Sequence, residues 1–447
     1  MCSRSIIAER SLKSRNQERV DHLKYSIITL GCKVNSCESA AAAEAFEREG
    51  FTRAAENEPA DVYVVNSCCV TGMAEKKTRQ ALSRCKKDNP ECVAVLCGCF
   101  PQSYPEAARS AGADIIVGNA EKGSICEMVK RYLGNRVRII SEKPLGREFD
   151  EGSSGADIDR TRAFIKVEDG CDRFCSYCII PFARGRVRSR KPEDITRQAR
   201  LCAESGHKEI VLTGINLGCY GQELGLTLGD AVKAADVEGV ERIRLSSLEP
   251  EMITDSEIEK FRSADKLCPH FHLALQSGCD ETLRRMNRRY DTALYREVAD
   301  KLREAFPGCA ITTDIMVGFA GETEEEFAES LKFAEEMRFA KIHVFPYSIR
   351  KGTIAAEQSD QVVPQIKSQR AAQMMELGER LERQFLKEQI GSVQTVLIEK
   401  RRSEQYSHGF SGSYIPVRIY GEELERHSLV KVEITSARDG YCLGRII

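Results

Sequence analysis

Gly170-Cys171-Asp172-Arg173-Phe174-Cys175-Ser176-Tyr177-Cys178-Ile179-Ile180-Pro181 carries three cysteines at C-x3-C-x2-C spacing, on a loop after the apolar run 163–167. Cysteine thiolates are the usual protein ligands of a cubane iron–sulfur cluster. Three thiolates cover three irons and leave the fourth open to a substrate or cofactor, unlike a fully capped electron-transfer cluster. A zinc site wants four ligands, typically two Cys or Cys/His pairs. No second pair at that spacing follows, and the next cysteine, Cys202, falls in a helical stretch. A disulfide framework belongs to small secreted chains rather than to 447 residues with a polar amino terminus.

Composition narrows the class. Lys and Arg number 66, Asp and Glu 68, for a net charge of −2, so nucleic-acid contact must come from local patches rather than from overall charge. No run of about 18 apolar residues is present, which argues against a membrane span. Residues 1–23 are polar and mildly basic without an apolar centre. They read as a flexible arm rather than a secretory signal, and the expected location is cytoplasmic. In a reducing compartment 19 cysteines point to metal or redox chemistry. Several of them, such as Cys126, Cys202, Cys268 and Cys309, read as small core residues.

Upstream of the motif, residues 24–141 alternate short apolar strands (25–30, 61–66, 92–97, 114–117) with helices (39–49, 73–87, 121–132). That pattern predicts a parallel α/β domain. Ligands of such sheets bind beyond the carboxyl ends of the strands. Cys32, Cys68 and Cys99 each stand just past the end of a different strand. Cys69, Cys97 and Cys37 are close neighbours, so the choice within each pair stays open. Residues 142–161, charged and with Gly152-Ser153-Ser154-Gly155, read as a linker.

Downstream, residues 162–388 carry six strand-like runs (164–167, 209–213, 242–246, 271–275, 311–316, 342–345) separated by helices, predicting a partial (β/α)6 barrel whose site lies at the carboxyl face of the strands. Gly214, Asn216, Ser247, Glu249, Gln276 and Asp314 recur near these strand ends. Together with Tyr177 they fit a cofactor laid across the barrel mouth. Arg184, Arg186, Arg188, Arg190 and Lys191 crowd beside the cysteine loop and suit an anion, either a cofactor carboxylate or RNA phosphates. Arg284, Arg285, Arg288 and Arg289 form a second basic cluster. Residues 389–447 change to short alternating runs (393–398, 413–419, 429–434, 442–446) and predict a small antiparallel β-barrel. Its Tyr406, His408, Phe410 and Tyr414 suit base stacking or internal packing.

The cysteine motif, with Tyr177 before its last cysteine, resembles the radical S-adenosylmethionine (SAM) superfamily. Thr29-Leu30-Gly31-Cys32-Lys33-Val34-Asn35, Asn66-Ser67-Cys68, Gly98-Cys99-Phe100-Pro101-Gln102, Leu212-Thr213-Gly214-Ile215-Asn216, His272-Leu273-Ala274-Leu275-Gln276-Ser277-Gly278 and Val317-Gly318-Phe319-Ala320-Gly321-Glu322-Thr323 resemble the methylthiotransferases of that superfamily. The likeness covers roughly residues 24–447. Ala274, Ala320 and Ile354 stand where the family commonly has proline. These departures affect loop stiffness.

The resemblance implies two [4Fe–4S] clusters: one on Cys171, Cys175 and Cys178, chelating SAM, and an auxiliary one on Cys32, Cys68 and Cys99. It also implies that the carboxy-terminal barrel is an RNA-binding TRAM domain. One SAM methylates a sulfur held at the auxiliary cluster; another yields the 5′-deoxyadenosyl radical. The implied partners are the anticodon stem-loop of tRNA, an electron donor of flavodoxin or ferredoxin type, and a sulfur donor.

Three branches share this layout, acting on isopentenyladenosine in tRNA, on a ribosomal-protein aspartate, or on N6-threonylcarbamoyladenosine in tRNA. Gly31-Cys32-Lys33-Val34-Asn35, Ala183-Arg184-Gly185 with Val187-Arg188-Ser189-Arg190, and His343-Val344-Phe345-Pro346-Tyr347-Ser348 look most like the third, whose target is C2 of adenosine 37. A non-enzymatic alternative is an iron–sulfur redox sensor that binds RNA.

Overall fold

The computed structural model describes residues 22–149, 160–399 and 405–447. The expected arm, up to residue 21, and residues 150–159 of the expected linker lie outside them. Two compact units are present: residues 1–155 with 179–186, and residues 156–178 with 187–447.

In the first unit β1 (Lys24–Thr29), β2 (Thr52–Arg53), β3 (Val62–Ser67), β4 (Val93–Gly98), β5 (Ile115–Val117) and β6 (Ile139–Ser141) form one sheet in the order β2-β1-β3-β4-β5-β6. Every pair in it is parallel. β3 and β4 are buried along their whole length. Strands covered on both faces read as continuous apolar runs rather than alternating ones, which is why they were legible. β2 and β6 were not expected; at two and three residues they are too short to show a period. The strand order reverses between β1 and β3, and such a switch point is where open α/β sheets bind ligands.

The second unit contains β7 (Ala163–Lys166), β8 (Glu168–Asp169), β9 (Arg188–Ser189), β10 (Glu209–Thr213), β11 (Arg242–Leu245), β12 (Ser247–Leu248), β13 (His270–Leu273), β14 (Ala310–Val317) and β15 (Lys341–Pro346). β7, β10 and β11 make one parallel sheet and β12 to β15 the next. The third expected strand is thus broken at Ser246 into β11 and β12. The six expected strand–helix repeats are present in sequence order, as a partial barrel. β8 and β9 pair antiparallel and clamp the two ends of the cysteine loop.

The helix Pro364–Glu388 joins two cores. Ala371, Met374, Leu377 and Leu381 belong to the partial barrel's core, and Leu386 to that of a small closed barrel. That barrel is formed by β16 (Val393–Ile398), β17 (Tyr406–Ser411), β18 (Pro416–Tyr420), β19 (Leu429–Arg438) and β20 (Tyr441–Ile446), in the order β16-β17-β18-β20-β19. Its pairs are antiparallel except β18 with β20. β17 was not expected because its polarity is inverted: Ser407, Gly409 and Ser411 point inward while Tyr406, His408 and Phe410 point outward. A Cβ on Gly409 would stand 2.1 Å from the Leu397 carbonyl oxygen, so this inward position accepts only glycine.

A buried charge cluster fastens the small barrel to the partial barrel. Glu209, fully buried, receives Arg162 Nε at 2.7 Å, Arg244 Nε at 2.8 Å and Arg242 Nη1 at 3.5 Å. The same arginines reach across: Arg162 to Glu399, Arg242 to the Thr395 carbonyl, and Arg244 to the Gly412 carbonyl at 2.9 Å. Tyr414 lies 5.2 Å from the Arg162 guanidinium and 4.6 Å from that of Arg244. Burial pushes the Glu209 carboxyl up, but Arg244, Arg162 and Arg242 outweigh it and hold it at about 2.

A folded-state value below the unfolded one gives stability that is complete above the ordinary glutamate range and lost as pH falls toward that value. Glu209→Gln is therefore expected to destabilise the second unit by about 3–5 kcal/mol at neutral pH. The deficit should shrink on acidification below about pH 4. Urea melts at both pH values measure it; equal deficits would refute the charge argument.

Among the described residues no helix is long and apolar enough to cross a membrane, and no cysteine is in a disulfide.

Candidate functional site

The first unit brings three cysteines to the switch point of its sheet. Cys32 follows β1, Cys68 follows β3 and Cys99 follows β4. Two glycines let the loops meet. Gly31 has φ +107°, and a Cβ there would stand 2.8 Å from Cys68 Cβ; Gly98 has φ +101°, and its Cβ would meet the Ser67 carbonyl at 2.6 Å. Asn35 Nδ2 donates to the Leu30 and Ser67 carbonyls at 2.7 and 3.0 Å, tying the first loop to the second. Ser67 Oγ in turn donates to the Cys97 carbonyl at 2.5 Å.

Cys32 is exposed, while Cys68 and Cys99 lie beneath the surface. Cys97 packs in the apolar core with Val64 and Val95. Cys69 sits in a second core with Leu82 and Phe100, its sulfur 3.4 Å from Ser103 Oγ. Burial pushes the Cys68 thiol up to about 11. Cys99 is shifted the other way, by a hydrogen bond from Cys69 and, against burial, by the charges of Arg184 and Lys122.

Arg184 belongs to this unit through the segment 179–186 and is fully buried. Its Nε donates to Cys99 Sγ at 3.3 Å and its Nη2 to Asn35 Oδ1 at 2.6 Å, and it is ion-paired with Glu38. Glu38 also pairs with Lys122. Asn119 Nδ2 donates to Cys99 Sγ at 3.6 Å and to the Ala183 carbonyl at 2.6 Å.

The basic run of the sequence thus divides. Arg188 is buried on Asp169 at 3.3 Å, and buried Arg190 donates to the Lys166 carbonyl at 2.9 Å. Arg186 and Lys191 are exposed. Charge spacing carries no information on which cation is buried.

The second unit places Cys171, Cys175 and Cys178, all half-buried, beyond the carboxyl end of β7. Ser176 pins the loop: its amide donates to the Met286 carbonyl at 3.0 Å and its Oγ to the Arg285 carbonyl at 2.8 Å. Asn216, after β10, donates from Nδ2 to Cys171 Sγ at 3.6 Å; its amide donates to Glu168 Oε2 at 2.7 Å. A Cβ on Gly214 would come 2.6 Å from that same oxygen. Arg288 Nη1 donates to Cys175 Sγ at 3.3 Å, and Nη2 pairs with Glu249 after β12. Gln276 is held at φ +65° by the Asp314 carbonyl and the Met316 amide, each at 2.8 Å. Backbone strain of this kind collects at functional sites.

Other expected residues point elsewhere. Asp314 pairs with His272 Nε2 at 3.3 Å. Ser247 is exposed. The Tyr177 ring packs edge-on against Phe319 at 6.2 Å. Sequence reasoning missed Arg288, Glu38 and Lys122 as neighbours of the cysteines. Their sulfur contacts and ion pairs span long sequence separations, and only the doubled arginines 284–289 gave a signal.

Each triad therefore sets thiols at strand ends, with a buried arginine donating to one sulfur and paired to a glutamate. Among the described residues no three His, Cys, Asp or Glu side chains gather round a single metal ion. Sulfurs that cap separate irons of a cubane stand further apart than the ligands of one ion, and N–H···S donors suit thiolates. The donor sets fit two iron–sulfur clusters.

Residues 165–334 match the Radical SAM superfamily, and residues 24–118 match the uncharacterized protein family UPF0004. The chain is 38% identical over 429 residues to the threonylcarbamoyladenosine tRNA methylthiotransferase MtaB of Bacillus subtilis, covering 94% of this chain and 95% of that protein. It is 32% identical to the tRNA-2-methylthio-N(6)-dimethylallyladenosine synthase of Pelotomaculum thermopropionicum, covering 94% and 97%. In fold it is similar to the radical SAM methyltransferase TsrM of Kitasatospora setae, solved with cobalamin and a [4Fe–4S] cluster. There the TM-score is 0.55 at 12% identity, over 75% of this chain and 77% of that one. The fold and the cysteine loop define a radical SAM enzyme. The chain belongs to the methylthiotransferase family of that superfamily.

Proposed function

We propose that this enzyme is a tRNA methylthiotransferase that adds a methylthio group to C2 of N6-threonylcarbamoyladenosine at position 37. The observation that carries the reading is the second triad: a radical SAM loop alone serves many reactions, whereas Cys32, Cys68 and Cys99 at a sheet switch point supply a site for a sulfur-bearing cluster. The 38% identity to a protein named for that substrate supports the choice of branch.

Cys171, Cys175 and Cys178 would hold one [4Fe–4S] cluster and Cys32, Cys68 and Cys99 the other. SAM, when bound, supplies the radical chemistry that an aromatic C–H bond requires and acid–base side chains do not. The protein's part is positioning. Asn216 and Arg288 donate to the sulfurs of Cys171 and Cys175, Glu249 holds Arg288, and Gly214 and Gln276 keep the strand ends open. Residues 24–141 serve the auxiliary cluster, 162–388 the radical site and 389–447 the RNA. The reaction also needs a low-potential electron donor and a sulfur donor, in the cytoplasm where tRNA is modified.

For RNA the small barrel offers an outward face. Phe410 and Tyr414 stack at 4.6 Å on one another and are occupied by Arg162. Tyr406 and Tyr441 instead flank Arg418, whose guanidinium lies 4.7 Å from the Tyr406 ring and 3.7 Å from that of Tyr441, and the Tyr420 ring stands 5.5 Å from that of Tyr406. Stacking on such a surface contributes about 1–3 kcal/mol per base. Tyr406→Ala with Tyr441→Ala is expected to weaken tRNA binding about tenfold or more at fixed salt, with RNA-independent SAM cleavage unchanged. Unaltered binding in a filter assay would move the RNA contact to Arg186, Lys191, Arg284 and Arg289.

The function itself is tested by mass spectrometry of tRNA nucleosides from a deletion strain with and without the gene restored. Loss and return of 2-methylthio-N6-threonylcarbamoyladenosine is the expected result. Loss of the methylthio-isopentenyl nucleoside, or of a ribosomal-protein modification, would assign another branch. No modification change, with no SAM turnover by the reduced protein, would leave the sensor reading.

A further inference from the structure

β13, β14 and β15 divide their side chains between two faces. Leu273, Ile311, Ile315, Ile342 and Val344 lie in or against the core of the partial barrel. By the two-residue period of a strand, the residues between them stand on the opposite, inner face. The register sets Lys341 beside Thr312, His343 beside Asp314 and Phe345 beside Met316. β15 is the edge of its sheet, and these three inner residues are exposed, Phe345 at 46%. They follow one another at about 7 Å along the strand. Phe345 is the one toward the cysteine loop: Met316 beside it packs against the same small core of Phe319 and Tyr347 as Tyr177 does.

Resting on the reading of N6-threonylcarbamoyladenosine as the substrate, we infer that the inner face of β15 is the specificity site for the N6 substituent. Phe345 carries the base, His343 hydrogen-bonds the carbamoyl group and Lys341 pairs with the carboxylate. The order matches the substrate, in which base, carbamoyl group and threonine carboxylate also follow one another. A base on Phe345 with C2 toward the cysteine loop sends the substituent on C6 away from it, along the strand. His272 is held by Thr312 Oγ1 at 2.9 Å and Asp314 Oδ2 at 3.3 Å. His343, its ring 5.7 Å from that of His272, makes no hydrogen bond to a described residue. Desolvation and the neighbouring His272 hold its imidazole below the ordinary histidine range, with Asp314 opposing them. A neutral imidazole offers one N–H and one lone pair, which suits the C=O and N–H of a carbamoyl group. Lys341 pairs with Glu382 at 3.1 Å, its own side chain 50% exposed. Such a pair contributes little, and an ammonium has three donors, so a second carboxylate can join it. An isopentenyl tail would cover both polar groups without bonding either, and sites built to hydrogen-bond a substrate reject analogues that cannot.

The test uses the full-length protein with both clusters reconstituted. Three anticodon stem-loop RNAs differ only at adenosine 37, which is threonylcarbamoylated, isopentenylated or unmodified. Affinities are read by fluorescence anisotropy at fixed salt without SAM, so that no turnover enters. The parent is expected to favour the threonylcarbamoyl loop over the unmodified one by about a hundredfold, about tenfold from each polar contact. Lys341→Met and His343→Leu should each cut that ratio about tenfold. Lys341→Arg should restore it, and His343→Leu should raise the affinity for the isopentenyl loop relative to the unmodified one. A contact to phosphate weakens all three loops alike, so the ratio isolates the N6 substituent.

An unchanged ratio in both variants, at full iron content, overturns the inference. So does equal weakening of all three loops, which marks a backbone contact. If one variant fails to assemble, the other decides. A parent that favours the isopentenyl loop, or shows no preference, refutes the substrate reading itself. That outcome is distinct from a parent preference that the variants leave untouched.

Discussion

Replacing Cys171, Cys175 and Cys178 together with alanine is expected to abolish reductive SAM cleavage and leave one [4Fe–4S] cluster per chain. The loss should be complete, because the open iron that binds the cofactor exists only when three thiolates hold the other three. The fold should survive. The three side chains are half-buried rather than core. The loop is held by Ser176, to Met286 and Arg285, and by the Ala355 amide donating to the Ser176 carbonyl at 2.8 Å. None of these bonds involves a cysteine sulfur. The thermal midpoint should therefore move by only a few degrees, as for about 1 kcal/mol or less. Iron and sulfide analysis, with 5′-deoxyadenosine measured after dithionite reduction, reads both parts. Four irons in the parent chain rather than eight would refute the two-cluster reading, and cleavage by the triple variant would refute the assignment of the SAM site.

The second large effect concerns the paired cysteines. Cys68→Ala and Cys99→Ala are expected to abolish methylthiolation while SAM cleavage continues, since the two triads lie in different units. Cys97→Ala and Cys69→Ala are expected to keep the product and lose stability, by about 1 kcal/mol for a small buried group. Cys97 is buried in the same apolar core as Val64 and Val95. Cys69 points toward Leu82 and Ser103, although its hydrogen bond to Cys99 makes a modest change in cluster content the expected secondary effect. Product analysis alongside iron content separates the two classes. A Cys68→Ala enzyme with its full auxiliary cluster would show that Cys69 is the ligand.

Much of this protein is determined by local sequence. The loop of Cys171, Cys175 and Cys178 is readable because its three cysteines are neighbours along the chain, so their spacing is visible without the fold. β3, β4, β10 and β14 are readable because a buried parallel strand is a short apolar run whatever surrounds it. The placing of Cys32, Cys68 and Cys99 at strand ends is readable too, since each follows such a run.

Tertiary structure decided the rest. Arg184, Arg186, Arg188 and Arg190 are alike in sequence, yet Arg186 is exposed and the other three are buried on different partners. β17 hid its strand because small residues face the interior while Tyr406, His408 and Phe410 face outward. The bonds from Arg184 to Glu38 and from Arg288 to Cys175 join residues 146 and 113 positions apart. Burial and long-range pairing depend on which surfaces the fold brings together, and hydrophobic period and local spacing hold no record of that. The sequence by itself therefore determined the chemistry available at each strand end, while the packed structure decided which charges stand against which sulfurs.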